Sequence, residues 1–257
     1  MAEACRIYEQ PALRRVAGDV LRPGGLSLTR YALAQAALLP GARVLDLGCG
    51  VGTTAAVCRG EFNLGAVGLD VSGGMLAEAR GQHPGLPLVQ APGARLPFRD
   101  GSLDAVLAEC TLSLMPDPDA VMAEVRRVLR AGGWFAVSDL YTRAPDNAPS
   151  GVTDPHTLPP AGCLQGACAR ADFEARLAAH GFIAILWEDH TRALKTFTAR
   201  LIFEHGSLAG FWQCATGNPA IAEPIRQAVA RAHPGYFLAI AQKTPSFNLC
   251  RVSSESG

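Results

Sequence analysis

The stretch that decides the fold is Val44-Leu45-Asp46-Leu47-Gly48-Cys49-Gly50-Val51-Gly52. A short apolar run of strand length leads directly into a turn with three glycines, and a helical segment follows the turn. Glycines in such a turn let the backbone adopt conformations closed to other residues and approach a ligand closely. The stretch therefore predicts a strand, a ligand-binding turn and a helix, which together form the first unit of a parallel sheet.

Two carboxylates near this turn indicate which ligand it binds. Asp70 ends the next predicted strand, where a carboxylate can accept hydrogen bonds from both hydroxyls of a ribose. Dinucleotide-binding folds place a third glycine where this chain has Thr53. Asp46 adds a carboxylate that suits an ammonium or sulfonium group and disfavours a pyrophosphate. The pattern favours S-adenosylmethionine over NAD(P), although an NAD(P)-dependent oxidoreductase stays an alternative.

Short apolar runs recur between helical segments and predict parallel strand–helix–strand units. The predicted strands are Arg43 to Leu47, Ala66 to Asp70, Leu86 to Gln90, Leu103 to Ala108 and Trp134 to Asp139. The clearest predicted helix runs from about Asp119 to Arg130, and Gly132 and Gly133 are expected to end it.

The last third of the chain has a different rhythm. A helix capped by Asp172 and ended by Gly181 is expected before a strand from Phe182 to Trp187. Two further helices then precede the last strand, which is apolar on both faces as a central strand should be. They are predicted at Thr191 to His205 and from Asn218 or Glu223 onward, and the strand at Tyr236 to Ala241.

Composition limits the partners and the location of the protein. Half of the chain is apolar (49%), and its 23 basic residues balance its 23 acidic residues without long runs of either sign. This balance disfavours nucleic-acid binding and favours a small-molecule partner. No stretch has the roughly 20 apolar residues that span a bilayer, and no signal peptide is recognisable, so we expect a soluble cytoplasmic protein. The eight cysteines contain no C-x-x-C pair, so no metal site is predicted.

Four motifs together resemble those of class I S-adenosylmethionine-dependent methyltransferases. They are DLGCGVG (46–52), LDVSGGMLAEAR (69–80), ARLPF (94–98) and VRRVLRAGGWF (125–135), in the family's order and spacing. The resemblance covers about residues 40 to 140. It implies an α/β fold, a Rossmann-like seven-stranded sheet of order 3-2-1-4-5-7-6 whose last strand is antiparallel, with helices on both faces and a helical insert before that strand.

The length of the chain favours one domain over residues 1–257, and the resemblance makes it a methyltransferase domain. Its expected parts are an N-terminal cover (1–39), the cofactor-binding core (40–142), a loop (143–165), a core helix and strand (166–190), the helical insert (191–233) and the last strand (234–244). Both the cofactor and a methyl acceptor are expected at the carboxyl ends of the strands.

Cofactor-binding residues are also implied by the resemblance. The methionine part of S-adenosylmethionine would contact Asp46, Gly48, Cys49, Gly50 and Gly52, and Asp70 would hold the ribose. The adenine would lie between Val71 and Met75 on one side and Gly93, Ala94 and Arg95 on the other. Pro92 departs from the family, which often has an acidic residue there. The segment with Glu109, Cys110 and Leu112 would pass beside the methionine and face the acceptor, although Glu109 can equally pair with an arginine.

The C-terminal part resembles arsenite methyltransferases, in which a cysteine binds the metalloid. The matching segment is Gly162 to Ala167, and it suggests a thiolate site from Cys163, Cys214 and Cys168. The cysteine that this family places after its glycine turn is absent, since Thr53-Thr54-Ala55 stands there. Buried cysteines that act as small apolar side chains are the alternative.

No catalytic residue is assigned, because methyl transfer from a sulfonium mainly requires positioning and a dry cavity. Candidates for a general base are His156, His190, His205, Asp139 and Tyr141. A further alternative is a non-catalytic protein that binds S-adenosylmethionine. The oligomeric state is left open.

Overall fold

The computed structural model describes residues 20, 22–143, 162–216, 218, 220 and 222–245, which fold around one mixed β-sheet. Its strand order is β3-β2-β1-β4-β5-β8-β7, and β8 runs antiparallel to both neighbours. The strands are β1 Arg43–Leu47, β2 Gly65–Asp70, β3 Leu88–Gln90, β4 Leu103–Glu109, β5 Leu129–Thr142, β6 Cys168–Ala169, β7 Phe182–Asp189 and β8 Gly235–Lys243. The predicted order is confirmed, since the unpredicted β6 only pairs with the end of β5 and shifts the numbering.

Helices cover both faces of this sheet. They are α1 Gly25–Ala36, α2 Thr53–Gly60, α3 Gly73–Gln82, α4 Pro118–Val128, α5 Arg170–Ala179, α6 Thr191–His205, α7 Leu208–Thr216 and α8 Ala222–Ala232. Single turns of 3-10 helix occur at Leu112–Leu114 and Gly162–Leu164. The predicted insert before the last strand is present, but it contains three helices (α6, α7 and α8) and not two.

Alternating side chains along the central strands build a core on each face of the sheet. In β1, Leu45 belongs to one cluster and Val44 to the other. In β5, Phe135 and Ala136 divide in the same way, and all of these side chains are at most 4% exposed. The sheet is therefore buried on both faces, as a parallel core requires.

Two predicted helix boundaries were wrong. α4 ends at Val128, and Gly132 and Gly133 lie within β5, because Leu129 already pairs with Leu103 of β4. In α5 the N-cap is Ala169, and Asp172 lies in the first turn, where its charge still complements the helix dipole. Gly181, with φ 67°, follows the end of α5 as predicted.

One edge of the sheet gathers the ends of several strands. β1, β2, β4 and β5 are parallel and finish there at Leu47, Asp70, Glu109 and Thr142, whereas the antiparallel β8 begins there at Gly235. We call it the carboxyl edge. Crevices at this edge are where open α/β sheets bind ligands.

Candidate active site

The turn between β1 and α2 requires glycine on steric grounds. Gly48, Gly50 and Gly52 have left-handed backbone, with φ of 74°, 54° and 80°. At Gly48 a β-carbon would also overlap the hydroxyl of Thr111, in the loop after β4. The N–H groups of Gly48 and Cys49 donate to the carbonyl oxygen of Leu69 at 2.7 and 3.0 Å. The turn is thereby fixed against the ends of both neighbouring strands.

Asp70 directs its carboxylate at this turn. Its Oδ2 accepts a hydrogen bond from the N–H of Gly50 at 2.8 Å, and its Oδ1 accepts one from the N–H of Ser72 at 2.9 Å. Two backbone donors thus fix the orientation of the side chain at the carboxyl edge.

Asp46 lies beneath the turn and is buried, with 3% of its surface exposed. Its Oδ2 accepts a hydrogen bond from the N–H of Ala55 in the first turn of α2, at 3.1 Å. Burial raises the pKa of this carboxyl to about 7, and the negative charge of Glu109 contributes to the rise. A nearby cation would stabilise the ionised form of this buried carboxyl.

Glu109, at the end of β4, pairs with an arginine, which was one of the two alternatives for this residue. The arginine is Arg22. The distance from Glu109 Oε2 to Arg22 Nη2 is 2.8 Å, and the two side chains are 8% and 10% exposed. Thr29 of α1 and Thr54 of α2 donate their hydroxyls to the two oxygens of Glu109 at 2.8 and 2.9 Å. This buried cluster joins the segment before α1, α1 itself and α2 at the carboxyl edge.

The predicted adenine-binding residues lie at the ends of β2 and β3. Met75 is buried in the first turn of α3, and its Cε would lie 3.3 Å from a β-carbon on Gly50. Val71 is 40% exposed, whereas Gly93 is buried against Met115 and Val121. Ala94 and Arg95 are exposed. A flat group between these two strand ends would contact both apolar and backbone atoms.

A polar network follows the end of β4 on the other side of the turn. Cys110 has φ 53°, and its Sγ lies 3.2 Å from the hydroxyl of Tyr236 in β8. Tyr236 donates to Ser138 Oγ at 3.1 Å, and Cys110 also hydrogen bonds with Cys163. The contact with Cys163 and burial raise the pKa of the Cys110 thiol well above its usual range, and burial does the same for Tyr236. These groups stay uncharged, so the network adds no formal charge to this part of the edge.

Asp139 holds the adjacent loop in place. Its carboxylate accepts hydrogen bonds from the N–H and hydroxyl of Ser113 at 3.0 and 2.6 Å, and from the N–H of Leu140 at 2.8 Å. Burial raises the pKa of Asp139 to about 6, against the opposing effect of these donors. The neighbouring Leu112 is buried in the core. Asp139 therefore holds the turn at residues 112–114 in position.

With this geometry established, comparisons with known proteins identify the domain. Residues 45–137 match the family model described as a methyltransferase domain. The chain is 39% identical to demethylmenaquinone methyltransferase of Beutenbergia cavernae over 125 residues. The matched region covers 48% of this chain and 52% of that protein. Arsenite methyltransferase of Halobacterium salinarum is 33% identical over 160 residues, 59% of this chain and 40% of that protein. The chain spans about half the length of the curated relatives it matches.

Solved structures share the fold of the chain. The [4+2]-cyclase SpnF superposes with a TM-score of 0.72 at 25% identity, covering 91% of this chain and 92% of that one. Phosphoethanolamine N-methyltransferase 2 of Haemonchus contortus, solved with S-adenosyl-L-methionine, has a TM-score of 0.71 at 19% identity and shares the fold over 94% of this chain and 57% of that one. Residues 45–137 of the chain thus match a methyltransferase domain. S-adenosylmethionine is the cofactor that this domain indicates.

The residues of this methyltransferase domain fit that cofactor. Asp70 is oriented toward the glycine turn, Asp46 offers a buried carboxylate to a cationic group, and Gly48 permits no side chain in the turn. The buried carboxylate of Asp46 beneath the turn disfavours a pyrophosphate there. The family match and this fit decide against the NAD(P)-dependent alternative.

The three cysteines predicted for a thiolate site have different surroundings in the structure. Cys163 contacts Cys110, Cys168 is half-buried against the core, and Cys214 is exposed on α7. Over residues 22–143, 162–216 and 222–245, no group of three or more histidine, cysteine or acidic side chains is arranged to hold a metal ion. The structure therefore pairs Cys163 with Cys110, a partner that the sequence did not indicate.

The candidate general bases are mostly engaged elsewhere. His190 Nε2 lies 3.0 Å from Glu188, and the Tyr141 hydroxyl donates to Asp189 at 3.0 Å. His205 packs edge-on against Phe211 at 5.5 Å. His156 lies outside the described residues.

In the part of the chain that the structure describes, no helix is long and apolar enough to cross a membrane.

Sequence reasoning missed several residues of the site. Arg22, Thr29 and Thr54 surround Glu109, and Tyr236 and Ser138 surround Cys110. Gln90 was also missed, and its side-chain amide donates to the carbonyl oxygen of Val71 at 3.1 Å. Each contact joins distant parts of the chain, so no local sequence pattern signals it.

Proposed function

We propose that this protein transfers the methyl group of S-adenosylmethionine to a small-molecule acceptor by in-line displacement. The contact between Asp70 and the glycine turn carries the proposal, because it fixes the carboxylate of Asp70 beside a turn with no side chain at Gly48. The curated relatives also support it, since their names refer to demethylmenaquinone and arsenite. The balanced charge of the chain gives no support to a nucleic-acid substrate.

In this proposal the chain's own residues orient the donor. Asp70 holds the sugar, Val71, Met75 and residues 93–95 border the base, and Asp46 lies near the cationic end. When bound, S-adenosylmethionine supplies an electrophilic methyl group on a positively charged sulfur. The carboxylates at this edge stabilise that positive charge before transfer.

The acceptor side is expected to be dry. Cys110, Tyr236 and Ser138 form a hydrogen-bonded network whose groups stay neutral, so few charges compete for the acceptor. In such surroundings the attraction between an electron-rich nucleophile and a cationic sulfur is stronger than in water. These residues position and desolvate, and no proton transfer is assigned to them.

A cover for the acceptor is provided by the insert and the turn before β6. Leu164 packs in a small cluster with Ile225, Ala228 and Ala232 of α8. Gly166 leaves no space for a side chain against the carbonyl of Ser113. Residues 162–167 thus link the insert to the loop that follows β4.

The test is an assay with S-adenosylmethionine labelled at the methyl group, incubated with a fractionated small-molecule extract. The proposal expects a labelled product that is lost in Asp70→Ala and retained in the surface control Asp172→Asn. Binding of S-adenosylhomocysteine without any labelled product across all fractions would favour the non-catalytic alternative. The similarity to a cyclase makes this outcome informative, because the same fold carries another reaction there.

A thiol-bound metalloid is the second candidate acceptor. It is supported by the hydrogen bond between Cys110 and Cys163 and by the arsenite methyltransferase relative. Thiols suit soft, thiophilic centres. Arsenite binding should be lost in Cys163→Ser and retained in Cys58→Ser, which changes a buried core cysteine. Equal binding by wild type and Cys163→Ser would exclude this acceptor, and Cys214→Ser tests the third predicted cysteine.

A further inference from the structure

The guanidinium of Arg22 is buried between α2 and the end of β4. Its Nη2 lies 2.9 Å from the hydroxyl of Thr54 and 2.8 Å from Glu109, and it also contacts the hydroxyl of Thr29. The side chain is only 10% exposed. One nitrogen of the guanidinium therefore makes all three of these contacts.

The Nε of Arg22 is buried but has no hydrogen-bond partner among the residues that the structure describes. A buried N–H of a charged group that lacks a partner is unfavourable, and native proteins keep few of them. The Nε–H of a guanidinium is a donor on a charged group, and a carboxylate oxygen is a suitable acceptor for it. The unpaired nitrogen thus indicates a missing acceptor at this position.

The position lies beside the donor-binding turn. The helix α2 begins directly after Gly52, and Thr54 is its second residue. The next residue, Ala55, donates its N–H to Asp46. Arg22 therefore provides a buried positive charge among the carboxylates of Asp46 and Glu109. S-adenosylmethionine carries two cationic groups and one carboxylate. Asp46 complements the cations, and Arg22 complements the carboxylate.

We propose that Arg22 binds the carboxylate of S-adenosylmethionine through its Nε–H, an inference that rests on that cofactor but not on the identity of the acceptor. Arg22 precedes α1 and meets Thr29 of that helix, so the contact also joins the donor to the segment that covers the edge. The ion pair with Glu109 orients the guanidinium before the donor arrives. Arg22 thereby selects donors that retain the amino-acid carboxylate.

The test compares S-adenosylmethionine with its decarboxylated form, which lacks only the carboxylate. Dissociation constants are measured by calorimetry for wild type, Arg22→Met and Arg22→Lys. Wild type should prefer the carboxylate-bearing ligand by roughly 10- to 100-fold, the value of one charge-assisted contact. Arg22→Met should reduce this ratio to near one, and Arg22→Lys should give an intermediate ratio.

Controls separate binding from structure. Arg30→Met on α1 removes only an exposed pair with Glu61 and should keep the wild-type ratio. The double variant Arg22→Met with Glu109→Gln removes both charges of the buried pair, and its ratio should also be near one. If Arg22→Met does not fold, as judged by thermal unfolding, the Lys and double variants carry the test.

The result that overturns the proposal is a wild-type ratio in the folded variants, with both ligands weakened equally, because a purely structural ion pair acts on both alike. If wild type binds neither ligand nor S-adenosylhomocysteine, the cofactor assignment fails and the proposal fails with it. If the ratio behaves as expected and no acceptor is methylated, the inference stands while the proposed activity fails.

Discussion

Thr111, in the loop after β4, occupies the space that a side chain on Gly48 would need. A β-carbon on Gly48 would lie 2.7 Å from the β-carbon of Thr111 and closer still to its hydroxyl. The backbone of Gly48 is also left-handed. The glycine turn and the loop after β4 are thus in direct contact, so we expect a change in either one to move the other.

Gly48→Ala should destabilise the fold by roughly 2–4 kcal/mol, because left-handed strain and overlap with Thr111 add together. Urea unfolding measures the loss. Gly60→Ala is the matched control, since no atom lies near its added carbon and its φ is not positive. A Gly48→Ala variant as stable as wild type would show that the turn tolerates a side chain.

Asp70→Ala should weaken S-adenosylhomocysteine binding by at least about 10-fold, the loss expected for a carboxylate that accepts from a ligand. Calorimetric titration provides the measurement, and Asp172→Asn should match wild type. An unchanged affinity in Asp70→Ala would remove this carboxylate from the donor site.

Asp46 should make the stability of the ligand-free protein depend on pH. Its folded pKa of about 7 lies above its ordinary value of 3.8, so the folded state retains a proton that the unfolded chain loses. The free energy of unfolding should therefore fall as pH rises from about 4 to 7, by at most about 1.4 kcal/mol per pH unit from this group. Asp46→Asn removes this contribution, so the variant should gain stability relative to wild type between pH 5 and pH 8. A difference that is constant with pH would contradict the assignment.

The same titration should govern binding of the cationic donor. As Asp46 loses its proton, its negative charge attracts the cationic end of S-adenosylmethionine more strongly. Wild-type affinity should therefore rise from pH 6 to pH 8, and the affinity of Asp46→Asn should stay flat. Calorimetry at several pH values provides the comparison, and parallel curves for the two proteins would refute this role.

Tyr236→Phe should cost about 1–2 kcal/mol, because Ser138 loses its donor and Cys110 loses its buried partner. Chemical denaturation measures this loss. Tyr31→Phe removes only an exposed contact with Glu188 and should change stability by less than about 0.5 kcal/mol. Equal effects of the two substitutions would mean that the network at the end of β4 contributes nothing.

Hydrophobic periodicity predicted much of the fold because the signal is local. β1 and α6 have the predicted bounds, and the order of the sheet follows from the family pattern. Elements that depend on distant pairing were missed. The extension of β5 through Gly132 and Gly133 depends on its neighbours β4 and β8, and β6 exists only through pairing with the end of β5.

The candidate site divides in the same way. Asp46, Asp70 and the glycine turn form one continuous region of sequence, so their spacing predicted their proximity. The other contacts of the site join segments that are far apart in the sequence. They are the pair of Arg22 with Glu109 and the contact of Cys110 with Cys163. The sequence allows a pairing of Glu109 with an arginine, and the folded structure identifies Arg22 as that partner.

A crystal structure of the protein with S-adenosylhomocysteine tests the central claim most directly. The account predicts the ribose hydroxyls on the carboxylate of Asp70, the homocysteine part against the turn of Gly48–Gly52, and its carboxylate on Arg22. A ligand bound elsewhere, or a ribose that makes no contact with Asp70, would contradict the account.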